Sequence, residues 1–325
     1  MKYRWFKLIC FAFLASAWTA CTKEIEFDGD QSAPLLVVNG LQQVGQPAWL
    51  CVEKSVFFLD DQPDRRVKDV RVDLFVNGAF KEHLMVRDSL KMEHYYIWDE
   101  DGDEEMERLD YAFNYCVGEY LLCEGDEIRF EVSSSEFETA TAVVTMPEAP
   151  QVISFDTVRV EPFYEYGQTV HFSLKLKDSL GSDYYNLCPT SGLSGFSSTD
   201  PVFTDLMTVD IEDMFSENEY YGYGPYNVFN DRFFDGNEYS LSLEITESGF
   251  VFEWPFILEV TRVNADFYQY YKSYQAYESH DTESLVGMFT EPVQVYSNVQ
   301  NAIGIVGSQS RPVVMTIDLT SNYYN

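Results

Sequence analysis

A chain of 325 residues has room for two domains of ordinary size. Its 46% hydrophobic and 23% charged residues exclude disorder over most of the length. Asp and Glu number 54 against 21 Lys and Arg, a formal net charge of -33, so nucleic acid and bare anionic membrane surfaces repel it.

The first twenty residues read as a signal peptide. Lys2, Arg4 and Lys7 form a basic start, and Leu8 to Ala17 is an apolar stretch too short to span a bilayer stably. Thr19 and Ala20 directly before Cys21 match a bacterial lipobox, although Trp18 stands where an aliphatic residue is usual. Cys21 is therefore the expected site of lipid attachment. Residues 21–33 form an acidic tether, in which Thr22 to Asp30 resembles the surface-export signal of Bacteroidota lipoproteins. Acyl chains at Cys21 would hold so acidic a protein on a membrane without a basic patch. No later run approaches the length of an apolar membrane helix.

From residue 34 the pattern is of strands. Leu35 to Gly40 is a short apolar run. Val70, Val72, Leu74 and Val76 alternate with their neighbours and run into Asn77-Gly78, the signature of a type I′ hairpin. Ile128, Phe130 and Val132 alternate similarly, and Ala140 to Thr145 is a further strand. About seven short strands with turns between them predict an immunoglobulin-like β-sandwich over residues 34–147. Pro147 and Pro150 mark an extended linker. A second β-rich, sandwich-like domain is predicted over 151–325, from the alternation at Val170 to Lys177 and Tyr239 to Ile245 and from the runs 257–263 and 313–319. It holds one short helix, capped by Asn264 or Asp266, with Phe267, Tyr270, Tyr271, Tyr274 and Tyr277 near one face. That aromatic stripe reads as core-facing, with a ligand platform as the alternative.

Few residues point to chemistry. Of the mature cysteines, Cys116 and Cys123 could bridge a hairpin or serve as small apolar residues, and no Cys-x-x-Cys supports zinc. Asp99, Asp101, Asp103 and Glu105 alternate around Gly102 as calcium ligands could, but they depart from the EF-hand pattern and equally suit a solvated hairpin loop. Residues 217–234 carry Tyr220, Tyr221, Tyr223, Tyr226 and Phe229 among glycines, a composition suited to stacking on sugars or packing on a protein partner; burial over a sheet is the alternative. No nucleophile elbow, His-Glu-x-x-His, P-loop or dinucleotide fingerprint occurs, so the chain is expected not to be an enzyme and to have no cofactor beyond a candidate calcium ion.

Motifs spread along the chain carry a resemblance. They are Cys21 with Lys23-Glu24-Ile25, residues 34–40, Asp183-Tyr184-Tyr185-Asn186, residues 199–203, residues 229–236, Asp266 to Tyr271, residues 289–293, and residues 296–305. In this order the chain resembles the Bacteroidota outer-membrane lipoprotein family catalogued as domain of unknown function 4249. The resemblance implies a surface lipoprotein with an immunoglobulin-like N-terminal domain, a companion of TonB-dependent outer-membrane transporters. It carries no catalytic or binding residues with it. The expected function is a non-catalytic binding accessory to such a transporter in nutrient uptake. The alternatives are a structural or adhesive surface module and, with less support, a hydrolase.

Overall fold

The computed structural model describes residues 33–56, 64–98, 104–163, 167–189, 198, 202, 227–248, 256–278 and 293–317. Cys21 and the tether up to residue 32 lie outside them. The chain is mainly β, as the alternation predicts, with three sheets and one helix among the described residues.

The largest sheet is a nine-stranded spine. Its path runs β12 (Asn227–Asn230), β11 (Tyr184–Pro189), β14 (Phe256–Val263), β15 (Val306–Gln309), β1 (Leu36–Gln43), β2 (Pro47–Lys54), β6 (Glu104–Leu121) and β5 (Met85–Trp98), with β16 (Val313–Ile317) paired to β14. β3 (Arg71–Val76), β4 (Ala79–His83), β7 (Glu127–Ser133) and β8 (Ala140–Thr145) form a four-stranded sheet in the order β4-β3-β7-β8. β9 (Gln151–Phe163), β10 (Gly167–Lys177) and β13 (Glu238–Ser248) form a three-stranded sheet in the order β13-β10-β9.

The predicted strands bury the residues their alternation selects. Val72, Leu74 and Val76 of β3 and Ile128, Phe130 and Val132 of β7 pack against Leu36, Val38, Leu50 and Val52 of the spine. Phe172, Leu174 and Leu176 of β10 and Leu241 and Leu243 of β13 pack against Tyr185, Leu187, Phe256, Leu258 and Val260. Asn77 and Gly78 take φ of 51° and 79°, as a type I′ turn requires at both central positions.

The helix α1 (Ala265–Glu278) lies on the opposite face of the spine. Asn264 caps it, its Oδ1 accepting the N–H of Phe267 at 3.2 Å. Phe267, Tyr270 and Tyr271 are buried against Leu41, Val228, Val263 and Ile305. The stripe is thus core-facing at its centre, and each such ring contributes about 2–3 kcal/mol by leaving water. Tyr277, at the far end of the stripe, is half exposed.

The spine also joins what the sequence divides. β1 pairs in parallel with β15, Gly40 opposite Val306 and Gln43 opposite Gln309. Val299 and Val306 belong to the same buried cluster as Leu36 and Val38. Pro34 onward therefore forms one compact unit, and the prolines at 147 and 150 mark a passage between sheets within it. Nor are the first strands all short: β5 and β6 share fourteen registered pairs, from Met85 opposite Val117 to Trp98 opposite Glu104. No helix of the described residues is long and apolar enough to cross a membrane.

Candidate functional site

Two of the sequence motifs, 183–186 and 229–236, meet where β11 and β12 pair, Tyr184 opposite Asn230 and Tyr185 opposite Phe229. Their carboxylates converge there on the end of β10. One oxygen each of Asp178, Asp183 and Asp231 lies within 4.8 Å of the others. Arg262 of β14 supplies the countercharge, its Nη2 standing 2.9 Å from Asp183 Oδ2 and 3.9 Å from Asp178 Oδ1. The rest of the node is hydrogen-bonded. Tyr185 donates its hydroxyl to Asp178, Gly236 N donates to Asp178 Oδ2 at 2.8 Å, and Ser179 Oγ donates to Asp183 Oδ2 at 2.8 Å. Asp183 N donates to Asp231 Oδ2 at 2.9 Å.

Burial pushes Asp183 above the usual carboxylate range even though Ser179 and Arg262 pull it down. It pushes Asp231 up as well. The Tyr185 hydroxyl is raised by burial and by the Asp178 carboxylate it donates to. Three carboxylates around one cation have the donor set for a divalent ion, but the guanidinium already occupies the electrostatic role such an ion would fill. The node is best read as the clasp that ties β10, β11, β12 and β14 together.

Beside this clasp, Tyr268 of α1 reaches the same strands. Its ring lies 4.6 Å from that of Tyr184, and its hydroxyl accepts Asn230 Nδ2 at 2.9 Å. Tyr268 then forms one wall of an open groove of about 560 Å³ between α1 and the segment 293–297. Gln269, Lys272 and Ser273 line the helix side; Gln294, Tyr296 and Ser297 line the other. The segment is pinned to the helix twice. Tyr296 donates its hydroxyl to Asp266 Oδ1 at 2.6 Å, and Tyr296 N donates to Ser273 Oγ at 2.8 Å. Burial, with the Asp266 carboxylate, pushes the Tyr296 hydroxyl up to about 12. Two fixed tyrosines, two amides and one ammonium suit noncovalent recognition: stacking on a ring or an extended chain, with hydrogen bonds to its polar groups.

The residues expected from sequence fall elsewhere. Tyr220, Tyr221, Tyr223 and Tyr226 lie outside the described residues. Phe229 is a correction: it sits on β12 with 2% exposure, 5.5 Å from the Tyr185 ring, and belongs to the core rather than to a contact surface. Backbone pairing leaves the even face of β12 to one cluster and the odd face to another, so this short strand has no free side. Asp99, Asp101 and Asp103 lie outside the described residues, between the ends of β5 and β6. Glu105 is paired opposite Ile97 within β6. Cys116 and Cys123 are not bridged; Cys116 is buried and Cys123 exposed.

Sequence reasoning missed Asp178 and Arg262, because neither lies in a motif: the pairing of β14 with β11 sets Arg262 opposite Tyr185, and only the packing of the β10 sheet on those strands brings Asp178 to them. It also missed the groove, although Tyr268 and Tyr296 both lie in segments the resemblance singled out.

No curated protein matches the chain at a significant level. The model of the family described as domain of unknown function (DUF4249) matches residues 22–312, nearly all of the compact unit and the tether before it, and the chain belongs to that family.

Proposed function

We propose that this protein is a lipid-anchored, surface-exposed outer-membrane lipoprotein that acts as a non-catalytic binding accessory, working with a TonB-dependent transporter in nutrient uptake. The observation that carries the reading is the groove between α1 and residues 293–297, whose tyrosines are held in place by Asn230, Tyr184 and Asp266 before any ligand arrives. A preorganised polar and aromatic wall favours binding, because little rotamer freedom remains to be lost. The signal peptide and Cys21 support a position on the membrane, and the strong negative charge supports a lipid anchor over direct adhesion to anionic lipid.

The test is a mild-detergent pull-down of the tagged, lipidated protein from its own outer membrane, read by mass spectrometry. A stoichiometric TonB-dependent transporter is the expected result. Recovery of the protein alone, or only with further copies of itself, overturns the accessory role and leaves the structural module.

A further inference from the structure

β1, β6 and β15 end on the same side of the spine, Gln43 opposite Gln309 and Pro47 of β2 opposite Leu121. The turns that follow them, 44–46, 122–126 and 310–312, therefore cluster, and Ala149 between β8 and β9 passes beside them. Together they border an open groove of about 570 Å³, which is within the size range of small-molecule sites. It shares no lining residue with the groove on α1. Backbone hydrogen bonds fix its walls. Gly45 N donates to Leu122 O at 2.8 Å, Val44 N to Gln309 O at 3.1 Å, and Gly125 N to Met146 O at 2.9 Å.

The lining is apolar apart from two charges and a thiol. Val44, Leu122, Pro312 and Val313 supply carbon, while Arg311 and Glu124 bring one charge of each sign. Arg311 Nη2 lies 2.9 Å, and its Cζ 3.5 Å, from where a Cβ on Gly45 would stand, so the guanidinium rests against this turn in space that glycine leaves open. Among the described residues its side chain has no carboxylate, ring or sulfur against it. Each other arginine with a described side chain has one. Acids outnumber bases 54 to 21 in this chain, so a guanidinium without a carboxylate runs against the composition. Glu124 borders the same groove, and among the described residues no ion pair joins it to Arg311. An unmet charge of each sign beside apolar walls complements a ligand with a carboxylate, an ammonium and an apolar body. The guanidinium fork matches a carboxylate bidentately.

We propose that this groove binds a short apolar peptide by its free ends, Arg311 taking the α-carboxylate and Glu124 the α-ammonium. A free apolar amino acid carries the same two charges, but a groove of this volume favours the longer body. The site does not depend on the lipid anchor or on the groove at α1.

Cys123 is exposed and borders the groove, so its alkylation reports occupancy. The experiment times iodoacetamide labelling of Cys123 by mass spectrometry in the full-length protein in detergent. The probe is a pool of tripeptides made from Ala, Val and Leu, with the same pool amidated at the C-terminus, the same pool acetylated at the N-terminus, and free leucine as comparisons. The unmodified pool is expected to slow labelling about threefold or more, and each of the other three to slow it less. In Arg311→Gln the free-acid and amidated pools should become equal; in Glu124→Gln the free-amine and acetylated pools should. Both side chains are exposed, so both variants should melt within about 2 °C of the parent. Each rate is compared with that of the same variant without peptide, which removes any change in the thiol's own reactivity. No protection by the unmodified pool, protection indifferent to both end groups, equal protection by leucine, or discrimination that survives both substitutions overturns the proposal.

Discussion

Replacing Gly304 with Ala should be among the most damaging single-methyl changes in this chain. Gly304 crosses β1 at a φ of 117°, where side chains are rarely tolerated. A Cβ built there would lie 2.2 Å from the carbonyl oxygen of Val38 and 2.7 Å from Asn39 Oδ1. Neither neighbour can yield easily. Val38 N and Gly40 N each donate to this segment at 2.9 Å, to Ile303 O and Ile305 O, and Ile305 N donates to Asn39 Oδ1 at 3.0 Å. Strain at such a backbone position costs on the order of 2 kcal/mol. Loss of two of the three hydrogen bonds adds about 1 kcal/mol each. For a unit of nearly 300 residues, the expected total of about 4 kcal/mol corresponds to a fall in Tm of about 7 °C. Gly78→Ala is the matched control. Its φ is 79°, but nothing lies within 4 Å of a Cβ there, so only the conformational cost of about 1 kcal/mol applies. Calorimetry on the two variants decides the matter. A Gly304→Ala protein that melts no lower than Gly78→Ala would refute the claim that the 301–305 segment is locked onto β1.

The carboxylate clasp makes further predictions. Because burial raises Asp183 and Asp231 in the folded state, their contribution to stability is full below the unfolded value of about 3.9 and is lost as pH rises through their raised values. Asp231→Asn keeps an acceptor for Asp183 N and removes one charge, so its Tm should change less with pH over this window and be no lower than the parent's at pH 7; a clear loss at pH 7 would count against the reading. Arg262→Gln should cost about 3–5 kcal/mol at pH 7 and recover in part in acid, since it leaves buried carboxylates without their cation. Tyr185→Phe should cost about 1–3 kcal/mol in denaturant titration by leaving Asp178 short of a donor. Thiol labelling followed by mass spectrometry should modify Cys123 in the native protein, whereas Cys116, which is buried and whose thiol burial pushes up to about 12, should react only in denaturant. Rapid native labelling of Cys116 would contradict its placement on β6.

Local patterns carried much of the fold. Alternation at 72–76, 128–132, 170–176 and 239–243 marked strands whose inward residues are the buried ones, because a strand with one wet face writes its orientation into every second residue. Asn77-Gly78 named its own turn, since few other pairs accept two positive φ values. The aromatic stripe after Asn264 showed both the helix and its buried face. These signals act over a few residues and survive without knowledge of the partner.

Partner choice is a different matter, and only the tertiary structure decided it. Nothing near Gly40 announces that it will lie beside Val306, and that one parallel pairing turns two apparent domains into a single unit around a common spine. Phe229 looked like a loop aromatic because β12 is four residues long and buried on both faces, so it has no alternation to read. Asp178, Asp183, Asp231 and Arg262 are ordinary charges in an acidic sequence until strand pairing removes their water and makes them depend on one another. The groove likewise needs α1 and residues 293–297 side by side. Composition and strand periodicity are local properties of the chain; pairing, burial and electrostatic coupling depend on distances that exist only once the chain has folded.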